Sequence, residues 1–322
     1  MDRIFRNTPE FKPTIEAAAE RLNISATAVE KDYWVSEVLR VLAARHHGDF
    51  VFKGGTSLSK AFHIVDRFSE DVDILILNGG ASRGVADRLM KQMGRVAAEG
   101  VGGTAKSVGT SETGRHRSYQ VVYPTDSNPT ALINTSVLLE MGVRGGPHPH
   151  EAAPIGCLLG DLLMDAGTDL SEFADLQPFE VQTLHPARTL LEKLILVHQL
   201  DTKIGGNSVS PINQRIGRHF YDIYELLADA RVLDFLSDHG RVNEVIESVA
   251  SVNRTYFDGI ESEEVRPFGG FATCQVFELN SDASQRLQLA YEETMPELYF
   301  GRDPLPSWKD ICGRVTEKRN LL

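Results

Sequence analysis

The chain has 322 residues, 42% of them hydrophobic, with a formal net charge of −12 and a pI near 5.3. That length allows one large domain or two moderate ones, and the acidic balance excludes a protein that coats nucleic acid over its whole surface, though not one with a local basic groove. Cys157, Cys274 and Cys312 are too far apart for a CxxC metal site or a disulfide framework, Met1–Phe5 lacks an apolar signal core, and no apolar run approaches the ~18 residues that span a bilayer, so a soluble cytoplasmic protein with no membrane partner is expected.

An Ala- and Glu-rich stretch over 14–23 predicts a helix. A second is predicted from Thr27, with Thr27–Glu30 as its capping box and Trp34, Val35, Val38, Leu39 and Leu42 at helical spacing. Lys31 and Asp32 read as a surface ion pair. Phe50, Val51 and Phe52 then read as a short strand ending at Gly54 and Gly55, with Thr56 and Ser57 opening a short helix. Glycine lets backbone approach a ligand, and a helix N-terminus offers unpaired N–H groups to phosphate. Past that helix, Asp71-Val72-Asp73 heads the apolar run Ile74–Leu77. Residues i and i+2 share a strand face, so both carboxylates point one way. Paired aspartates are hard oxygen ligands suited to Mg²⁺. Alone, each half reads as a turn or a strand edge. Together they point to a triphosphate seat facing a metal site.

The joint pattern Gly54-Gly55-Thr56, then Arg67-x-Ser69-x-Asp71-x-Asp73, resembles the first motif of the AbiEii/AbiGii-type nucleotidyltransferase toxins, which belong to the DNA-polymerase-β-like nucleotidyltransferase superfamily. Glu30–Val35 resembles a helix that such toxins often carry ahead of that motif.

Asn78-Gly79-Gly80 predicts a turn, residues 82–99 a helix and the glycine-rich 100–114 a mobile loop. Seven Lys/Arg stand against three acids between Arg83 and Arg117, and Arg115, His116 and Arg117 are the candidates for touching a polynucleotide backbone. Strands are predicted at 119–123 and 131–141. Glu140, between Leu139 and Met141, alternates as a strand carboxylate should, and the resemblance implies a third metal ligand on a strand beside Asp71 and Asp73. An exposed strand glutamate is the plainer alternative. His148 and His150 have no third ligand nearby and read as loop histidines. Residues 152–174 show no clear period. A short strand over 179–183 precedes a helix opened by His185-Pro186, proline suiting the first helical position. Leu190, Leu194 and Val197 mark its buried stripe, and Lys193 matches the lysine of the family's second motif. After a polar loop over 201–214, Arg215–Leu227 resembles the final motif. Asp222 matches its second acid, whereas His219 stands where a first acid is usual. A helix-surface pair of Asp222 with Arg218 is the alternative. From Asp222 to Leu322 there are 19 acids against 10 Lys/Arg, a poor polynucleotide surface.

The expected architecture is α+β: a mixed sheet flanked by helices in a nucleotidyltransferase domain over 1–180, and a helical domain over 181–322 closing the active-site cleft. The resemblance implies a toxin paired with an antitoxin protein, moving NMP from an NTP to an RNA acceptor, most of all the 3′ end of tRNA, with two Mg²⁺ ions. It assigns the phosphates to Gly54, Gly55, Thr56 and Ser57, the metals to Asp71, Asp73 and Glu140, and nucleotide positioning to Lys193 and Asp222. Ser69 lies near the metals, to orient Asp71 or to serve as a phosphorylation point. The rivals are transfer to a protein or small-molecule hydroxyl, and a non-catalytic nucleic-acid-binding module.

Overall fold

A computed structural model describes residues 3–69, 71–77, 82–110, 115–125, 127, 129, 133–143, 145–205, 216–256 and 265–322. The turn expected at 78–80, residues 111–114 of the loop expected over 100–114, residues 206–214 of that expected over 201–214, and Arg215 of the final motif lie outside them. The chain divides into two compact units. Met1–His63, Phe68–Val143 and His150–Thr183 form the first; Ile64–Arg67, Arg144–Pro149 and Leu184–Leu322 form the second.

In chain order the first unit runs α1 (Phe11–Leu22), α2 (Ala26–Arg45), β1 (Phe50–Lys53), α3 (Gly54–Lys60), β2 (Asp71–Ile76), α4 (Arg83–Gly100), β3 (Thr104–Thr110), β4 (His116–Val122), β5 (Ser136–Gly142), β6 (His150–Ile155), α5 (Leu158–Asp165) and β7 (Phe179–Leu184). The seven strands make one mixed sheet in the order β3-β4-β5-β2-β1-β7-β6, as the α+β expectation required. β2 is antiparallel to β1 and parallel to β5. Along β5, Val137, Leu139 and Met141 are fully buried while Leu138 and Glu140 are half-buried, the alternation of a sheet with unlike faces. Val72, Leu139 and Tyr119 hold matching register positions on β2, β5 and β4, and Tyr119 meets α4 at Gly94. The polar row Lys53–Asp73–Glu140–Ser118 runs across the same strands in matching register one residue on, which places it on the other face.

Two local expectations are corrected. Ser25, not Thr27, caps α2, its Oγ accepting from Ala28 N–H, and the buried Glu30 instead accepts from the hydroxyls of Thr125 and Ser127. Residues 104–110 are an edge strand rather than a mobile loop. The glycine content suggested a loop, but an edge tolerates Gly109 and Lys106, and the bulge between Ser107 and Gly109 blunts it. The strand and helix expected around 179–183 and His185-Pro186 are present.

The second unit holds α6 (Pro186–Gly205), α7 (Gly217–Leu226), α8 (Ala230–Ser237), α9 (His239–Tyr256), α10 (Asp282–Leu298) and α11 (Trp308–Glu317). His185 opens α6, its Nδ1 accepting from Ala187 N–H at 3.2 Å. Gly217 lets α7 touch α10 backbone to backbone, since a Cβ there would stand 2.5 Å from the Ala290 carbonyl oxygen. Phe220, Trp308, Phe277 and Tyr291 pack edge to face or tilted around this crossing, with Phe220 and Trp308 centroids 4.8 Å apart. The segment 64–67 is held here too, its Asp66 carbonyl accepting from Phe300 N–H and Arg67 bridging Tyr299.

Candidate active site

The turn from β1 into α3 is shaped by Gly54. Its φ is +83°, and a Cβ on it would overlap Oδ2 of Asp73. The backbone at the first glycine and the second aspartate carboxylate therefore touch. Gly54→Ala combines a left-handed backbone with that overlap. The expected result is a displaced Asp73 carboxylate, and at a reacting centre a displacement of about 1 Å costs on the order of a hundredfold in rate. Gly48→Ala is the control: its φ is +84° with nothing within 4 Å, so it carries the backbone strain alone and should leave the Asp73 carboxylate in place.

Thr56 and Ser57 are buried, and their hydroxyls serve the chain. Ser57 Oγ donates to the Gly54 carbonyl at 2.8 Å. Thr56 Oγ1 donates to the Asp71 carbonyl at 2.5 Å, and because a carbonyl can only accept, Ser69 Oγ is the donor in the 2.7 Å bond to Thr56. Ser69, Thr56 and Asp71 thus form a short chain that pins the start of β2. Gly55, next to Gly54, is half-buried.

Asp71 and Asp73 share a face of β2, and Asp73 is in register with Glu140 on the parallel neighbour β5. Ser118 Oγ donates to Glu140 at 3.4 Å. The donor set is all carboxylate oxygen, which suits Mg²⁺ over softer metals. Among the described residues no three potential ligands are gathered into a ready cage. Mg²⁺ is usually held by one or two carboxylates with water and substrate phosphate completing its shell, so the arrangement fits that ion.

Lys193 and Asp222 meet in the second unit. The Asp222 carboxylate is 0% exposed and is gripped bidentately by Arg67, Nε to Oδ1 at 2.6 Å and Nη2 to Oδ2 at 2.8 Å. Lys193 Nζ lies 2.8 Å from Oδ2 and 2.9 Å from His219 Nδ1. Burial alone would raise the Asp222 pKa, but the charges of Arg67 and Lys193 overrule it and hold the carboxyl well below its ordinary range. Burial lowers Lys193. Burial, then the charge of Lys193, push His219 well below its usual value, so the ring is neutral and its Nδ1 accepts from the ammonium. Asp222 is therefore no helix-surface partner of Arg218. With a neutral His219 in place of an acid, the two cations Arg67 and Lys193 share one carboxylate.

Other residues fall differently from the sequence reading. Lys31 is buried, and Asp32 pairs with Lys60 at 2.7 Å while accepting from Leu158 N–H. Lys60 also donates to Ser36 Oγ at 2.8 Å, so α3 is bolted to α2 from beneath. Sequence spacing gave no sign of this pair, because its members lie 28 positions apart. Arg117 sits within β4, its Nε donating to Asp87 at 2.6 Å, and is not a cation at the end of a mobile loop. His150 belongs to β6.

The family model for the nucleotidyl transferase AbiEii toxin of type IV toxin–antitoxin systems matches residues 38–313. The chain belongs to this family. The match takes in Gly54, Asp71, Asp73, Glu140, Lys193 and Asp222. The protein is thus a nucleotidyltransferase toxin of a type IV toxin–antitoxin system, and AbiEii membership implies an NTP substrate and an antitoxin partner. Among solved structures the chain is similar to MenT4, nucleotidyltransferase toxin Rv2826c from Mycobacterium tuberculosis H37Rv, at 17% identity over 86% of this chain and 98% of that one, with a TM-score of 0.40. At that score the likeness lends no support to a function. No curated protein matches the chain. Among the described residues no helix is long and apolar enough to cross a membrane.

Proposed function

We propose that this AbiEii toxin acts in the cytoplasm, transferring a nucleoside monophosphate from an NTP to the 3′ end of tRNA with two Mg²⁺ ions. The observation that carries the transferase chemistry is the contact of Gly54 with Asp73, itself in register with Glu140: a glycine turn able to meet phosphate adjoins an all-oxygen donor set. The tRNA acceptor rests on the family resemblance. In this reading Gly54 and Gly55 present backbone N–H groups to the β- and γ-phosphates. Thr56 and Ser57 hold that turn in shape through their backbone bonds, and Ser69 fixes Thr56 and, through it, Asp71. Asp71, Asp73 and Glu140 hold the metal. A bound divalent cation supplies charge stabilisation at phosphate and a lower pKa for an acceptor hydroxyl. Residues 1–180 are the catalytic domain; nucleotide positioning by Lys193 and Asp222 of the helical domain, 181–322, rests on the family resemblance.

The test is incubation of the purified protein and Mg²⁺ with each of the four α-labelled NTPs and, separately, a tRNA pool, total RNA depleted of tRNA, and total protein. Label is expected in the tRNA, at the 3′ end. Label in protein or in a small molecule instead would replace the acceptor. No pyrophosphate release with any acceptor would leave a binding module.

A further inference from the structure

Lys53 is the last residue of β1, in register with Asp73 and immediately before Gly54. Directly opposed residues of antiparallel strands project from one face, so its side chain shares the face of Asp73 and Glu140. The nearest carboxylate in register does not take it. Asp73 leans over Gly54, and among the described residues no hydrogen bond or ion pair engages the Lys53 ammonium. This contrasts with Lys60, seven positions on, whose ammonium is consumed by Asp32 and Ser36. A half-buried lysine without a partner, beside a face that otherwise bears acids, has its attractive interactions still to make. A polyphosphate seated at Gly54 and Gly55 would bring several anionic oxygens next to it, and lysine is a common phosphate binder acting as a point charge.

We propose that Lys53 is a phosphate-binding residue of this site and holds the triphosphate of the incoming NTP. The proposal rests on the reading that Gly54, Gly55 and Asp73 form the NTP site. Neither the glycine–aspartate pattern nor the motif positions identify it; the pairing of β1 with β2 does.

The test measures NTP and NMP dissociation constants by titration calorimetry on the full chain with Mg²⁺ and no acceptor. Lys53→Met keeps the aliphatic stem and removes the charge; Lys53→Gln does so with a polar end, in case the first variant folds poorly. Both are expected to weaken NTP binding about tenfold to a hundredfold, the scale of a lost charge-assisted hydrogen bond, and to change NMP binding by less than about threefold. Lys53→Arg should restore NTP affinity to within about threefold of wild type, which a merely structural role would not require. Wild-type NTP affinity in folded Lys53→Met and Lys53→Gln overturns the proposal. So does an equal loss for NTP and NMP, which would place the ammonium away from the polyphosphate. If the unaltered protein itself binds no NTP, the reading of the site fails and the proposal goes with it, an outcome distinct from a wild type that binds and variants that bind equally well.

Discussion

Asp73→Asn is expected to reduce nucleotidyl transfer on the order of a thousandfold or more, while the thermal midpoint moves by no more than a few degrees. The two side chains are nearly the same size, so the contact with Gly54 is kept and β2 stays paired between β1 and β5. What disappears is the hard anionic oxygen that the proposed mechanism sets against metal and phosphate charge. The measurement is the rate of label transfer from NTP at saturating Mg²⁺, alongside a melting curve. A folded variant with a rate within threefold of wild type would remove Asp73 from the chemistry.

The second large effect is on stability. Asp222→Asn should cost about 3–5 kcal/mol, because it leaves the buried guanidinium of Arg67 without its bidentate partner. That is a large share of the 5–15 kcal/mol that typically holds a domain together, so the variant is expected to unfold at a much lower urea concentration. Removing all three charges, as Arg67→Met and Lys193→Met with Asp222→Leu, should recover most of the loss. Lys193→Met should cost less than Asp222→Asn, since Arg67 keeps its carboxylate, and any defect it shows in transfer is then separable from folding. Unfolding curves of the four proteins decide this, and equal stability of Asp222→Asn and wild type would contradict the buried pair. The pH dependence follows in sign. Asp222 has a depressed folded-state pKa, so its contribution is complete above the ordinary aspartate value of about 3.9 and is lost as pH falls below that toward the depressed value.

The carboxylate strand was legible because its signal is local. Asp71 and Asp73 two apart ahead of an apolar run, and Glu140 alternating with Leu139 and Met141, are period-2 patterns that survive without knowing any partner. The start of α6 at Pro186 was legible for the same reason. The partners of the Thr56 and Ser57 hydroxyls were not, because a hydroxyl after a glycine pair suits a phosphate or a carbonyl equally well, and here both donate to backbone carbonyls. Nor was the environment of Asp222: its partner Arg67 lies 155 residues away, and helix spacing offered only Arg218. The edge strand β3 was masked by its own composition, exposed on nearly every residue and interrupted by glycine, as edges that avoid mispairing tend to be.

The separation between Arg67 and Asp222 also bears on when the protein becomes dangerous to the cell that makes it. At translation rates of about 5–20 residues per second, the 155 residues between them put roughly 8–30 s between the emergence of the arginine and that of the aspartate. The sheet has a similar wait, because β1 pairs with β7 through Phe52 and Thr183. A ribosome that stalls or is cleared within that interval releases a chain in which Arg67 has neither its counter-charge nor the helical unit that buries it and in which β1 has an open edge, a substrate for proteolysis and not a working toxin.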